Sequence, residues 1–537
     1  MSNSMVIKSS FDIEESIKRN FPFDAFNPGQ YDAIVVAINA LRSGKKHILM
    51  ELPTGIGKSA IATTIHRVMR DSQPSYRTTI VTATKGLQDQ YITDDPEIDN
   101  LLGKANYSCP KGANVYGSAQ CKTLLHSNGC DRETMCPYFK AREEWRFRSD
   151  LRLTNTAFAI KSPPDFIASL EDGTRSDLMV IDECHEIDEQ LVKHATITIS
   201  MDELDKHDKY FGVTVIGKFA EIINLFTDHS TGECLRADKD MIKVISEFVE
   251  LLAAKIKSLK SEPAAGDSSD ILSGLGSQLN DFILNNGEWI VDEFAFAKKL
   301  VLAPVYAHQV ANRGLYEKSD QFIHMSATIC GMNEYMKTMG IDEKTTCVIT
   351  APNPIPIEQR PILALNVMPV SKDFNVIKLA EFVDQIILRH PNQSGVIHTV
   401  SFKLAEDLKA RSKNKKHMLI SNKKDEILDF LKKPGSIILS PSIEAGYDFK
   451  GDLARWQIIA KVPYSFLGSA WVKLNMDRSN KWYARKAIVR IVQASGRAVR
   501  GITDHATTYI LDSNFKRLYT SNQELFPDWY KDAVHMK

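Results

Sequence analysis

The sequence predicts an α/β protein of two halves, each built on a parallel sheet, with the first half interrupted twice. Three observations carry that prediction. A short apolar run, His47-Ile48-Leu49-Met50, passes through a glycine turn, Leu52-Pro53-Thr54-Gly55-Ile56-Gly57-Lys58-Ser59, into a helix-like run from Ala60 to Met69. A second alternation of apolar runs and helical spacing begins after Pro352, Pro354 and Pro356. Between these two patterns lie a cysteine-rich window and a long stretch poor in strand signals.

Composition sets the outer limits. A chain of 537 residues is too long for one core and suggests two to four domains. Apolar residues make up 43% and charged residues 25%, which is ordinary for a globular protein. The formal net charge is zero, so any polyanion would have to meet local patches. No apolar run reaches the length of a membrane span, and Met1 to Asn20 lacks a signal-peptide core. The chain is therefore expected to stay where it is made. Eight cysteines in this length do not make a disulfide scaffold, but four of them share one short window, which points to metal.

The glycine turn comes first among the elements. Backbone N–H groups and a helix dipole facing one point make a cradle for phosphate. Lys58 is placed to reach the β- and γ-phosphates of a nucleotide, and Ser59 to hold Mg²⁺. Upstream, the amide of Gln30 in Phe26-Asn27-Pro28-Gly29-Gln30 can read an adenine edge. Downstream, Thr78 to Thr84 reads as a buried strand ending in Lys85-Gly86-Leu87-Gln88-Asp89-Gln90, whose groups suit a nucleic-acid backbone.

Cys109, Cys121, Cys130 and Cys136 follow, with no C-x-x-C pair among them. Glycines, asparagines and a proline break the segment into loops. Four thiolates can hold tetrahedral zinc or a 4Fe–4S cluster, and residue chemistry alone leaves both open. Next, Tyr138, Phe139, Trp145 and Phe147 alternate with Lys140, Arg142, Arg146, Arg148 and Arg152. That mixture suits either a single strand of nucleic acid or a helix whose aromatics face a core.

Leu178 to Ile181 reads as a buried strand ending in Asp182-Glu183-Cys184-His185. One carboxylate at such an end can hold Mg²⁺, and the next can orient or deprotonate a water. From about 190 to 300 the spacing is helical, with a polar break near Ser261 to Asp270. Phe322 to Thr328 is a further strand, ending in hydroxyl residues able to link a carboxylate to a neighbouring domain. In the second half, strands are expected at Gly395 to Val400, Ser436 to Ser440, Gln457 to Val462 and Thr507 to Leu511. Ala445-Gly446-Tyr447-Asp448-Phe449 and Gln493-Ala494-Ser495-Gly496-Arg497-Ala498-Val499-Arg500 close the series. Helical spacing would put Gln493, Arg497 and Arg500 on one face, where two guanidiniums can clamp a triphosphate.

Taken in this order, the motifs resemble those of the XPD/DinG family of superfamily 2 helicases, from about Phe26 to Leu511. The cysteine window lies between the Thr82–Gln90 stretch and the Asp-Glu-x-His box, as in that family. The resemblance implies two RecA-like motor domains with ATP and Mg²⁺ between them, an iron–sulfur lobe and a helical arch. Residues 1–102 and 151–190 would then belong to the first motor domain, which ends at 301–350. The cluster lobe would be 103–150, the arch 191–300 and the second motor domain 351–537. Catalysis would fall to Lys58, Asp182, Glu183, His185, Gln493, Arg497 and Arg500. Nucleotide would meet Gln30, Thr54, Gly55, Gly57, Lys58, Ser59, Gly446 and Asp448, with Mg²⁺ on Ser59 and Asp182. Cys109, Cys121, Cys130 and Cys136 would ligate a 4Fe–4S cluster. The implied activity is 5′-to-3′ DNA unwinding by a monomer acting on single strands and forks, in the cytoplasm or with the nucleoid. Two other readings stay open: a translocase that remodels nucleoprotein, and a binding subunit with a vestigial ATPase. Two departures stand out. Cys184 replaces the usual alanine, and Ala445 replaces the glutamate before Gly446.

Overall fold

The computed structural model describes residues 12–110, 136–162, 175–259, 266–285, 287–295, 298–371, 374–441, 449–501 and 503–537. Two seven-stranded sheets organise them. Across the first, the order is Thr346–Thr350, His47–Glu51, Ser319–Ser326, Ser176–Asp182, Thr78–Thr82, Leu151–Asn155 and Asp99–Leu101, and every pairing is parallel. The strand His47–Glu51 is buried along its whole length, as a strand must be with neighbours on both edges and chain covering both faces. Register then matters for the site. Glu51 pairs with Ser326, and Met325 with Asp182. The carboxyl ends of three central strands are thus level, and the loops that leave them share one rim.

The second sheet runs Met418–Ile420, Ile437–Ser440, Gly395–His398, Trp456–Ile459, Thr507–Asp512, Ile362–Met368 and Val534–Met536, again all parallel. The four strands expected from sequence sit at its centre. The outer members escaped notice because two are three residues long, too short to show a period.

The insert after Ala195 departs from its all-helical expectation. It holds the helices Asp208–Asn224, Lys239–Leu259 and Gly266–Leu284. It also holds a four-stranded antiparallel sheet in the order Ile197–Ser200, Lys299–Pro304, Trp289–Ala295 and Cys234–Leu235. Apolar runs this short fit a strand or a buried helix equally, and Ile197 pairs with the distant Leu302, which no local pattern could reveal. The helices and sheet enclose their own core, in which Phe219 meets Phe248 edge-on at 4.7 Å and Phe282 meets Trp289 at 5.1 Å.

The second half docks onto this insert through the helix Ala470–Arg478. Trp471 donates its indole N–H to the Pro304 carbonyl at 3.0 Å, and its backbone N–H to Asp292 at 2.8 Å. Arg478 pairs with Glu288 at 2.9 Å. No helix among the described residues is long and apolar enough to cross a membrane.

Candidate active site

The strand His47–Glu51 feeds the glycine turn, and the helix Lys58–Ser72 leaves it. Gly55 and Gly57 both adopt positive φ, +86° and +84°, which a side chain would strain. Space also demands glycine there. A Cβ on Gly57 would stand 2.7 Å from the Gln30 amide, and one on Gly55 would stand 3.0 Å from the Arg500 carbonyl oxygen. Gly57 occupies the N-cap of the helix, and no side chain caps its first N–H groups. An anion fits that end.

The turn is braced from upstream. Asn27 donates its amide to the Ile56 carbonyl at 3.2 Å. Gln30, 1% exposed, accepts from the Asn27 backbone at 2.9 Å and donates to the Gly57 carbonyl at 3.2 Å. In this structure the Gln30 amide holds the loop, and Asn27, missed in the sequence, shares that work.

Asp182 ends the strand Ser176–Asp182, and Glu183 turns the chain in left-handed backbone at φ 54°. The Glu183 carboxylate sits among partners. Lys58 lies 4.0 Å from it, His185 3.3 Å, and the Ser326 hydroxyl donates to it at 3.1 Å. Burial acts to raise this carboxyl, but Lys58, His185 and the Arg497 charge outweigh it and hold Glu183 far below the ordinary range. Asp182 moves the other way. Burial and the adjacent Glu183 charge push it up to about 6. Its two oxygens accept from the Glu183 backbone at 2.9 Å and from the Tyr91 hydroxyl at 3.1 Å. Tyr91 was invisible to sequence reasoning, since it is one apolar-face residue of the helix Lys85–Asp94.

Ser59 donates to Asp94 at 2.7 Å. Asp94 is a second partner the sequence did not announce.

The two sheets meet at His185. Its Nδ1 lies 2.9 Å from Ser326, and its Nε2 lies 2.6 Å from the side-chain amide of Gln493 in the second half. Burial lowers this imidazole, but hydrogen bonds with Glu183 and Glu186 prevail and raise it. The helix carrying Gln493, Asn480–Ser495, stops before Arg497 and Arg500. The expected common helical face is therefore corrected: Gly496, a poor helix former, is the C-cap, and the chain turns. Phe449 then donates its backbone N–H to the Arg497 carbonyl, and Asp504 accepts from the Arg500 N–H. The segment still reaches the phosphate loop, because a Cβ on Gly496 would lie 3.6 Å from the Thr54 hydroxyl. A cavity of 990 Å³ between the strand-end loops and the C-terminal segment is walled by Glu51, Arg360 and Trp529 but by none of the expected catalytic residues.

Gly446 and Asp448 lie outside the described residues, as do Cys121 and Cys130. Cys109 and Cys136 are half-buried free thiols. Cys136 packs with Tyr107 against a small core of Leu101, Tyr138 and Trp145, so the chain two residues before Cys109 meets the chain at Cys136. Among the described residues no three His, Cys, Asp or Glu side chains are grouped to hold a metal. The basic-aromatic stretch divides. Tyr138 and Trp145 are core, and Arg152 is fully buried beneath Trp145 with its guanidinium 4.9 Å from the ring centroid. Phe139 and Arg142 instead stack at 4.8 Å in partly exposed positions.

Comparison with known proteins adds to this geometry. Residues 387–533 match the family model described as helicase C-terminal domain, and residues 24–217 match that described as type III restriction enzyme, res subunit. No curated protein matches the sequence. Among solved structures, one described as "XPD_Helicase" is 15% identical, with a TM-score of 0.63, and the match covers 96% of this chain and all of that one. "Structure of S. tokodaii Xpd4" is 16% identical, with a TM-score of 0.58 over 95% of this chain and 99% of that one. The fold is that of these structures, two RecA-like domains, and the domain matches support a helicase-type motor.

Proposed function

We propose that this protein is an ATP-dependent DNA helicase that moves 5′-to-3′ on single strands and separates duplex at forks. One observation carries the reading. Lys58, Glu183 and His185 of the first sheet meet Gln493 of the second, at the mouth of a glycine turn built for phosphate. Such a site has the parts for phosphoryl transfer to water at a joint between two bodies.

In the proposed reaction, Lys58 and the Gly55–Gly57 backbone hold the β- and γ-phosphates. Glu183, ionised beside Lys58, orients the water and accepts its proton as oxygen attacks the γ-phosphorus. The bond to the β-phosphate oxygen breaks, giving ADP and phosphate. Arg497 and Arg500 balance the charge that gathers on the transferring group. Mg²⁺, held by Ser59 and Asp182, would neutralise phosphate charge. The Ser59 hydroxyl would exchange Asp94 for that role. Gln493 on His185 reports the state of the site to the second domain, and opening and closing of the cleft moves the strand.

Cys109, Cys121, Cys130 and Cys136 are proposed to ligate a 4Fe–4S cluster. The shared packing of Tyr107 and Cys136 supports the fit, since it draws the two ends of the window together. The cluster would act as a structural clasp for the wedge between strands. Protein purified without oxygen should then be brown and carry iron. Cys136→Ser should lose strand separation by a larger factor than ATP turnover. A colourless protein with stoichiometric zinc overturns the iron assignment.

The central test uses forked duplexes with either a 5′ or a 3′ tail. Separation from the 5′ tail alone supports the reading, and separation from the 3′ tail alone reverses the polarity. Lys58→Ala should cut turnover by about a hundredfold or more, as loss of a charge-stabilising donor does. Single-strand binding should survive it. Near wild-type turnover in that variant would sink the ATPase assignment.

A further inference from the structure

The loop Ser326–Cys330 leaves the first sheet between the two acid residues and the second domain. Its first residue is held at the site, where Ser326 bonds Glu183 and His185. Within the loop, the Thr328 N–H donates to the Ser326 hydroxyl at 3.0 Å. Its last residue is held from two sides. The Cys330 N–H donates to Glu51 at 2.7 Å, and Glu51 is the residue directly before the phosphate turn. The Cys330 carbonyl and that of Ile329 both accept from Arg485 Nε at 2.9 Å. Cys330 itself stands in left-handed backbone at φ 53°, and its side chain packs into the core of the second domain.

Arg485 lies on the helix Asn480–Ser495, the same helix that carries Gln493. The two residues are separated by about 12 Å along the axis. One helix of the second domain therefore grips both ends of one five-residue loop, through Gln493 and His185 at one end and Arg485 at the other. Arg485 is fully buried, and its NH1 and NH2 make no hydrogen bond among the described residues. NH1 makes only a long ion pair with Asp188, at 3.9 Å, while the guanidinium lies over the Tyr335 ring at 5.3 Å. The neighbouring Lys486 occupies Asp188 instead, at 2.8 Å, and reaches Glu189 at 2.9 Å. A buried cation left half-satisfied beside an occupied carboxylate is costly in a static joint. In a joint with two arrangements the same cation has somewhere to go.

We infer that Arg485 is a positioning residue that couples the Ser326–Cys330 loop, and through it the water-orienting Glu183, to movement of the second domain. The inference rests on the ATPase reading above. Arg485 bonds the loop carbonyls and none of Lys58, Ser59, Asp182 or Glu183. It sets where the loop stands, and Ser326 and Cys330 carry that position to Glu183 and to the strand entering the phosphate turn. The role is distinct from that of Gln493, since it acts on carbonyls of the loop and not on His185.

The test compares full-length wild type, Arg485→Gln and Arg485→Lys. Three quantities are measured: kcat for ATP with saturating single-stranded DNA, KM for ATP, and hydrogen–deuterium exchange of peptides covering 322–332. Arg485→Gln should lose about tenfold in kcat while KM stays within about twofold, the size expected of a coupling residue. Exchange at Thr328 and Cys330 should quicken. Arg485→Lys keeps the charge but loses the rigidly held Nε–H that both carbonyls share, so its kcat should fall between the other two. A structural role would lower folded fraction and leave kcat per folded molecule unchanged, and that result overturns the inference. So does wild-type kcat in both variants. If Arg485→Gln does not fold, Arg485→Lys decides by the same criterion. Absence of ATP turnover in the wild type would instead refute the ATPase reading, and exchange in the loop then judges Arg485 alone: unchanged exchange overturns it.

Discussion

Glu51 shows how the site imposes itself on single residues. It ends a fully buried strand, and its side chain accepts the Cys330 N–H at 2.7 Å. Burial pushes its carboxyl up to about 7, against an ordinary value of 4.5, although the Cys330 and Ile329 N–H groups and Arg485 pull the other way. The sign of the consequence follows. Between pH 4.5 and 7 the folded chain keeps a proton that the unfolded chain has released, so stability falls as pH rises through that window. Above pH 7 the loss is complete. Glu51→Gln keeps an acceptor for the Cys330 N–H and removes the titration. It should raise stability by on the order of 1–3 kcal/mol above pH 7 and leave it unchanged below pH 4.5. Thermal unfolding of both proteins at pH 4.5 and pH 8 measures this. Equal midpoint differences at the two pH values would show that folding leaves the Glu51 titration unshifted. Residues of this kind were half legible. Lys58, Asp182, Glu183 and His185 stand in motifs whose spacing is local. Asn27, Tyr91, Asp94 and Arg485 act through partners that only the fold brings near, and nothing adjacent in sequence marks them.

At the scale of elements, the helix Asn480–Ser495 is the member on which both halves of the chain depend. Ser479 caps it, accepting from the Trp482 N–H at 3.1 Å, and also donates to Glu334 of the first half at 2.9 Å. One hydroxyl thus starts the helix and fastens it across the joint. Ser479→Ala should cost about 1–2 kcal/mol, the sum of a lost cap and a lost bond to a charged acceptor. Ser479→Asp separates the two contributions. It restores the cap but sets a carboxylate against Glu334, so it should recover helix stability without recovering the joint. Chemical denaturation of the three proteins tests the order, and Ser479→Asp at or above wild type would show that the Glu334 contact contributes nothing. The end of this helix was misjudged from the sequence. Spacing of Gln493, Arg497 and Arg500 fits helical geometry, yet Gly496 ends the helix and the arginines arrive on a turn. Period alone does not see a C-cap inside its own pattern.

Across the whole molecule, the four inner strands of each parallel sheet were legible because each carries its own apolar run, while the outer strands were not. The insert's sheet was not, because its strands are short and pair over long separations. That sheet is where the second half leans on the insert, and Trp471 is the centre of the contact. Its indole N–H reaches the Pro304 carbonyl at 3.0 Å, and its ring meets Trp482 edge-on at 5.3 Å. The side chain also packs against the first-half core around Ile187 and Val305. Trp471→Ala removes all three. Since the ring is only partly buried, the loss should be about 2 kcal/mol, below that of a core tryptophan. Trp471→Phe keeps most of the packing and loses only the bond to Pro304, about 1 kcal/mol. None of the three contacts involves Lys58 or Glu183, so ATP chemistry is expected to persist in both variants. Strand separation is another matter if the insert must travel with the second domain during the cycle. Trp471→Ala should then unwind fewer base pairs per ATP consumed, and Trp471→Phe should fall between it and wild type. Measuring turnover and forked-duplex separation on the same preparations gives that ratio directly. A ratio unchanged in Trp471→Ala would mean that the insert moves independently of the helix docked on it.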